Sequence, residues 1–194
     1  MRKYTQNLFL CLFLICSTGH ADAQPFPAHF SEKGTQFLSL GVGLFPTFFK
    51  DDGHVLVPPS SIAYEKRLTK ILGLGASLGY SNTISKIEFG SNAEFKAYQN
   101  HFFYFNVRTG AHCLLYKKWD VYGGVSMGFY HIKVKAQNGS FGDFEYHRGI
   151  KEKSSALVWN AFVGFRYHCC GRLVFHCELS YGVSILNLGV GVKL

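Results

Sequence analysis

The chain has 194 residues and a formal net charge of +8, and only 16% of its residues are charged. Soluble globular domains carry about 25% charged residues, whereas this chain combines few charges with 21 glycines and 16% aromatic residues. This composition disfavours an ordinary soluble domain. No uninterrupted apolar run reaches the roughly 18 residues that a transmembrane helix needs, so the length and composition favour a single-domain membrane β-barrel.

The N-terminal segment predicts export. Arg2 and Lys3 precede a short apolar run, Leu8 to Cys16, and Ala21-Asp22-Ala23 then supplies small residues at the positions a signal peptidase reads. This layout is typical of a cleavable signal peptide, because an uncleaved anchor needs a longer apolar core. We predict a signal peptide over residues 1–23, a short periplasmic segment over 24–33 and a barrel over 34–194. Exported proteins have no nucleic-acid partner by default.

Downstream of this segment the hydropathy pattern has a period of two. Between Ser184 and Leu194, leucine and valine occupy every second position, and Asn187, Gly189, Gly191 and Lys193 occupy the positions between them. Such alternation predicts a strand with one apolar face and one small or polar face. The same pattern predicts eight strands, over residues 35–45, 60–68, 71–81, 98–116, 119–135, 154–168, 172–181 and 184–194.

The predicted connections alternate in length. Those after strands two, four and six are tight: Thr69-Lys70, Lys117-Lys118 and Cys169-Cys170-Gly171. Those after strands one, three and five are longer, over residues 46–59, 82–97 and 136–153, and the last connection is short. An even strand number with short turns on one side is typical of outer-membrane barrels, whose short turns face the periplasm. The sequence therefore predicts an all-β, eight-stranded antiparallel up-and-down transmembrane β-barrel.

The face opposite the apolar one carries charges of both signs. If the apolar face meets lipid, a lumen just wide enough for side chains receives six charged residues: Glu65, Arg67, Arg108, Arg166, Glu178 and Lys193. Opposite charges can pair there, whereas unpaired buried charges would be costly. The alternative is a soluble periplasmic, lipocalin-like barrel whose apolar face lines a ligand pocket.

The ending Glu178–Leu194 (ELSYGVSILNLGVGVKL) carries a family resemblance. It resembles the glycine-punctuated last strand of the bacterial outer-membrane β-barrel domain family, small eight-stranded barrels that are OmpX- and OmpA-like. The resemblance covers the chain from about Gly34 onward, and it implies insertion by the barrel-assembly machinery. Family members usually end in Phe, and this chain departs from them with Leu194. The family includes adhesins, structural anchors, small transporters and lipid-modifying enzymes.

Three adjacent His–Cys pairs are the most tempting candidates for metal binding. His112, His168 and His176 each precede a cysteine, and both residue types bind zinc or copper. Adjacent strand residues point to opposite faces, so each pair is a weak metal candidate and we predict no cofactor. A Ser–His esterase site is also disfavoured, because the only His-x-Ser sequence, His29 to Ser31, precedes the first strand. We predict that the chain is not an enzyme.

Basic residues are frequent in the predicted loops: Lys86, Lys96, Lys135, Arg148, Lys151 and Lys153. They suit a surface ligand bound through the loops or the phosphates of lipopolysaccharide, although solvated loops explain them equally well. We predict a structural or surface-interaction protein that contacts outer-membrane lipid and lipopolysaccharide. The alternatives are a narrow porin for small solutes, which a side-chain-filled lumen disfavours, and the soluble binding barrel.

Overall fold

The computed structural model describes residues 33–47, 53–89, 94–116, 118–138, 151–181 and 183–194. The predicted signal peptide and residues 24–32 of the predicted periplasmic segment lie outside these residues. Among the residues described, no helix is long and apolar enough to cross a membrane. The described residues form eight strands: β1 Gln36–Gly43, β2 Gly53–Arg67, β3 Leu72–Phe89, β4 Glu94–Tyr116, β5 Trp119–Ala136, β6 Lys153–His168, β7 Leu173–Ser180 and β8 Leu186–Lys193.

The strands close into a barrel in chain order. Each strand pairs antiparallel with the next, and β1 pairs with β8 from Phe37↔Lys193 to Gly43↔Asn187. Closure gives every strand a paired neighbour on both sides, so the backbone groups within the closed part of the wall are hydrogen-bonded, as lipid requires. The predicted eight-stranded antiparallel up-and-down barrel is confirmed.

The three tight turns lie at one end of the barrel, which we call the turn side. Between β2 and β3, the hydroxyl of Thr69 accepts hydrogen bonds from the backbone N–H groups of Ile71 (3.2 Å) and Leu72 (2.9 Å). Between β6 and β7, Gly171 adopts a φ of +54°, a left-handed conformation that favours glycine. The Thr69 hydroxyl and the left-handed Gly171 therefore let the chain reverse within a few residues at these two turns.

Two of the predicted long loops are wrong, because strands occupy half of the residues in 46–59 and most of those in 82–97. The β3–β4 ladder continues from Tyr80↔Phe103 to Phe89↔Glu94, through the predicted loop 82–97. Residues 53–59 belong to β2, where the register shifts around Val57 because Pro58 and Pro59 have no N–H to donate to the ladder. Polar residues such as Ser81, Asn82 and Thr83 hide the period of two, so hydropathy alone ended β3 too early.

The additional pairing extends the wall on the side opposite the tight turns, which we call the loop side. We name residues 80–89, 94–103, 131–136 and 153–155 the loop-side extension. Lys86, Lys96 and Lys153 lie in its strands, so their predicted placement in loops is wrong. Lys135, predicted both among the loop residues and as the last residue of the fifth strand, lies in β5. Lys151 is exposed in the β5–β6 connection, and Arg148 lies outside the described residues.

Candidate functional site

Between the turn side and the loop-side extension, the outer wall of the barrel is apolar. Leucine, valine, phenylalanine and tryptophan side chains alternate outward on every strand, and outward residues such as Leu157 and Trp159 are 62% and 70% exposed. The glycine, serine and charged residues between them face the lumen. The soluble-barrel alternative required the apolar set to face inward, and the described wall has the opposite arrangement.

Five charged or titratable side chains meet in the lumen near the turn side. We call Glu65, Arg67, His112, Asp120 and Arg166 the turn-side cluster, and their side chains are at most 11% exposed. Inward positions on β2, β4, β5 and β6 supply them. Because these strands lie on different parts of the wall, the cluster spans the lumen from side to side.

Carboxylates and guanidinium groups alternate within the turn-side cluster. Arg166 donates two hydrogen bonds to Glu65, at 3.2 and 3.3 Å, and Arg67 donates one to Asp120. Further contacts join the two pairs: Arg67 Nε lies 3.6 Å from Glu65, and Arg166 Nη1 lies 3.7 Å from Asp120. Each carboxylate therefore faces both arginines, which balances the charges that burial would otherwise penalise.

His112 joins the same two carboxylates. Its Nδ1 lies 3.1 Å from Asp120 Oδ2 and its Nε2 lies 3.3 Å from Glu65 Oε1. The ring also stacks on Tyr122, with centroids 5.2 Å apart. Both ring nitrogens are occupied by carboxylate oxygens, so His112 acts as a bridge within the cluster.

A second ion pair crosses the lumen on the loop side of the cluster. Arg108 on β4 donates to both oxygens of Glu178 on β7, with distances of 2.6 and 3.3 Å. Neither strand is a neighbour of the other in the barrel, so the pair bridges opposite walls. The bidentate geometry fixes both side chains more firmly than a single contact would.

Aromatic rings fill the space around the arginines. The Arg108 guanidinium carbon lies 3.8 Å from the Phe162 ring centroid, and that of Arg166 lies 4.2 Å from the Phe37 centroid. Tyr122 lies within 6 Å of both guanidinium groups. We call the turn-side cluster, the Arg108–Glu178 pair and these rings the lumen plug. Beside it lies a polar cavity of about 80 Å³, which Ser61, Tyr104, Asn106, Ser126 and Asn187 help to line.

No protein-family model matches the chain, and no curated protein matches it by sequence. Solved structures do resemble it. The outer membrane protein OprG of Pseudomonas aeruginosa aligns with a TM-score of 0.61 at 9% identity, covering 88% of this chain and 99% of OprG. The chain has the fold of a small outer-membrane β-barrel. The N-terminal β-barrel domain of P. aeruginosa OprF gives a TM-score of 0.50 at 14% identity, covering 84% of this chain and 98% of that domain.

A third similar barrel is Ail, the attachment invasion locus protein of Yersinia pestis, solved with the heparin analogue sucrose octasulfate. It gives a TM-score of 0.51 at 17% identity, covering 84% of this chain and 99% of Ail. Identities this low establish the fold alone. The resemblance to small eight-stranded outer-membrane barrels is confirmed at that level.

The outer-membrane barrel fold brings five of the six predicted lumen charges into the plug: Glu65, Arg67, Arg108, Arg166 and Glu178. The sixth, Lys193, lies at the turn-side end of β8, paired in the sheet with Phe37. Sequence reasoning missed Asp120, which is fully buried. Its position gave a usable signal, because Asp120 alternates with Tyr122, Gly124 and Ser126 on the lumen face of β5.

The three metal candidates lie apart within this barrel. His112 belongs to the plug, His168 packs against Phe37 with ring centroids 5.9 Å apart, and His176 lies beside Gly41 and Gly189. Among the described residues, no three His, Cys, Asp or Glu side chains are grouped to hold a metal ion. The four described cysteines, Cys113, Cys169, Cys170 and Cys177, are free thiols.

Proposed function

We propose that this chain is a bacterial outer-membrane barrel protein with a structural or surface-interaction role and a lumen closed by side chains. The observation that carries the proposal is the lumen plug. Glu65–Arg166 and Arg108–Glu178 each join opposite walls of the barrel, and rings pack against both arginines. A small solute would have to displace paired, buried charges to pass.

The outer-membrane location rests on the wall and on the sequence. Outward residues of β5 are small or apolar from Val121 to Phe129, a span of about 20–25 Å along the barrel axis at 3.4 Å per residue and a tilt near 40°. That height matches the apolar band of outer-membrane barrels, which is about 25 Å. We propose cleavage after Ala23, a short periplasmic segment over 24–33 and insertion of residues 34–194 by the barrel-assembly machinery.

The surface-interaction role rests on the loop-side extension. Its basic strands lie on the side of the barrel that an anionic ligand outside the cell would contact first. The similar barrel Ail was solved with the heparin analogue sucrose octasulfate. We propose that this chain likewise uses its loop side for anionic surface ligands or lipopolysaccharide. Nucleic acid is not a proposed partner, since the basic strands face the cell exterior.

We propose no catalytic activity and no cofactor. Ser155 Oγ and His131 Nδ1 form a hydrogen bond of 2.8 Å on the outer wall, which is the beginning of a nucleophile–base arrangement. An esterase also needs an acid that orients the histidine. No described carboxylate lies within 4 Å of His131, so the arrangement is incomplete in the part of the chain that the structure covers.

The first test is electrophoretic heat-modifiability of the protein in washed outer membranes. A closed, detergent-stable barrel should migrate differently before and after boiling, from a pellet that resists salt and carbonate. Recovery in the soluble periplasmic fraction without a mobility shift would overturn the proposal.

The second test separates a closed barrel from the narrow porin. The protein is reconstituted in planar bilayers, and single-channel currents are recorded at neutral pH. The intact lumen plug should give no steady openings, whereas steady openings of uniform conductance would establish the porin instead.

A further inference from the structure

The outward face of the loop-side extension is basic and carries no acid among the residues whose side chains the structure describes. Alternation directs four lysines and two histidines outward there: Lys86, His101, His131, Lys133, Lys135 and Lys153. The opposite, inward face of the same strands has no charged side chain in the described set, and Ser81, Thr83, Tyr98, Phe102 and Val134 are buried there. The charge therefore points away from the barrel axis, toward whatever surrounds the barrel.

Two of these lysines lie directly opposite each other. Lys133 on β5 pairs with Lys153 on β6, and on its other side it pairs with His101 on β4. Like charges at directly opposite positions of an antiparallel pair repel each other. No described carboxylate lies within 4 Å of either ammonium group. An anion bound between the two lysines would remove this repulsion, which makes the pair a site for an anionic group.

The height of the lysine pair matches the lipid headgroups. Phe129 is the last apolar outward residue of β5, and Lys133 follows it by four residues. At 3.4 Å per residue and a tilt near 40°, Lys133 lies roughly 10 Å beyond Phe129 along the barrel axis. Headgroups occupy about the first 5–8 Å outside the hydrocarbon, and a lysine side chain spans the remainder by bending toward the interface.

An apolar groove lies on the outer wall, and on β5 its lining ends at His131, two residues before Lys133. It has a volume of about 640 Å³, and it forms where the small Ser60 pairs with Tyr80 between bulkier outward neighbours. Its floor and sides include Leu40, Ile62, Leu78, Phe103, Phe105 and Phe129, and His131 lies at its edge. The hydrogen bond to Ser155 holds the His131 ring in that position. A hydrocarbon chain that fits this groove would have its polar end beside Lys133.

We propose that the outer wall holds a phosphorylated glycolipid of the outer leaflet, of the lipid A class. Its phosphate lies between Lys133 and Lys153 beside His131, and one acyl chain lies in the groove along Phe103, Phe105 and Phe129. This inference rests on the proposed outer-membrane location, and it assigns the binding to one place on the wall. Charge and apolar surface together select a phosphorylated lipid over a free anion or a soluble saccharide.

The test uses the full mature barrel in nanodiscs of phosphatidylcholine, a lipid with no net charge. Native mass spectrometry then measures capture of bisphosphoryl lipid A, of the same lipid A after enzymatic dephosphorylation, and of inorganic phosphate. The wild-type barrel should capture bisphosphoryl lipid A best. The double variant Lys133→Gln with Lys153→Gln should bind it about 30-fold more weakly, because each cation near an anionic surface contributes about a fivefold factor.

A matched control removes two lysines from the opposite end of the wall. Lys66→Gln with Lys118→Gln changes the net charge equally, and both residues are exposed at the turn side; this control should bind lipid A as the wild type does. Ser60→Phe fills the groove and should weaken lipid A binding several-fold without changing the response to dephosphorylation. Equal losses in the two lysine doubles, or no loss in either lysine double, would overturn the site.

Two further outcomes separate this inference from its alternatives. If sucrose octasulfate competes with lipid A at equal potency, the site binds soluble saccharides and the lipid assignment is overturned. If inorganic phosphate is captured as well as lipid A, the site binds free anions and the lipid assignment is likewise overturned. Heat-modifiability of every variant is measured in parallel. A barrel that folds and inserts but binds lipid A equally in all variants refutes the lipid site alone, whereas failure to form a heat-modifiable barrel refutes the proposed function.

Discussion

The turn-side half of the lumen and the loop-side extension place their charges on opposite faces of the same sheet. In the turn-side cluster the charges point inward, are almost fully buried and have partners of opposite sign. In the extension they point outward and are all basic among the described side chains. The alternation of side chains along a strand thus directs charges into the lumen near the turn side and out of the wall in the loop-side extension.

This difference indicates how each group of charges is balanced. A buried charge must find its counter-charge inside the protein, because lipid and the packed lumen provide none. An outward charge beyond the apolar band can take its counter-charge from water, salt or lipid phosphate. We therefore expect charge removal in the lumen to change stability, and charge removal on the extension to change binding.

The largest expected effect is at Glu65, which contacts both arginines of the turn-side cluster. Glu65→Gln leaves Arg67 and Arg166 with one carboxylate between them, and breaking a buried ion pair in this way costs about 3–5 kcal/mol. We expect that loss in the free energy of unfolding, measured by urea titration in lipid vesicles. Glu152→Gln, at an exposed position, is the control and should change stability by less than about 0.5 kcal/mol.

A loss at Glu65 no larger than that of the control would show that the turn-side cluster contributes no more than a surface charge. The comparison between the two regions would then fail on its lumen side. Both variants replace Glu by Gln, which has nearly the same side-chain volume, so a change in packing does not contribute to the measured difference in stability.

The next effect concerns Arg108, whose partner Glu178 is slightly less buried than the turn-side carboxylates are on average. Arg108→Leu should lower the free energy of unfolding by about 3 kcal/mol, since it leaves Glu178 alone in the lumen. Adding Glu178→Leu should restore at least half of that loss, because no lone charge remains. If the double variant is less stable than Arg108→Leu, the pair is not coupled as the geometry requires.

A smaller effect is expected at Phe162, whose ring lies 3.8 Å from the Arg108 guanidinium carbon. Phe162→Leu removes a desolvated cation–π contact and should cost about 1–2 kcal/mol. Phe165→Leu is the matched control, because Phe165 lies three residues further along β6 and faces outward. Equal losses at the two positions would mean that the ring contributes by its volume and not by its contact with Arg108.

The sequence predicted the barrel because membrane strands must alternate. The bounds of β5 and β6 were predicted to within one residue, since glycine and apolar residues alternate clearly there. The upper part of β3 was missed because Ser81, Asn82 and Thr83 have similar polarity on both faces. That segment is held by pairing with β4, an interaction between residues far apart in the chain.

The faces of the lumen residues were predictable, and their partners were not. Alternation directs Glu65 and Arg166 inward, but they are 101 residues apart in sequence and meet because of the stagger between neighbouring strands. Stagger is set by register around the whole barrel, which no single strand encodes. Asp120 was missed for a simpler reason: it lies at the second position of β5, beside a turn, where an acid is easily taken for a surface residue.

The smallest expected effect on stability is at Lys133, and its sign depends on the lipid. In phosphatidylcholine vesicles, Lys133→Gln should leave the free energy of unfolding within about 0.5 kcal/mol of wild type, or raise it slightly because the repulsion by Lys153 is removed. When bisphosphoryl lipid A is added, the wild type should become the more stable protein, because a ligand that binds only the folded state stabilises it by mass action. Lys66→Gln should follow the wild type in both lipids. If the order of Lys133→Gln and wild type does not change with the lipid, the outward lysines have the same role as any surface lysine, and the contrast between the two regions is limited to the lumen.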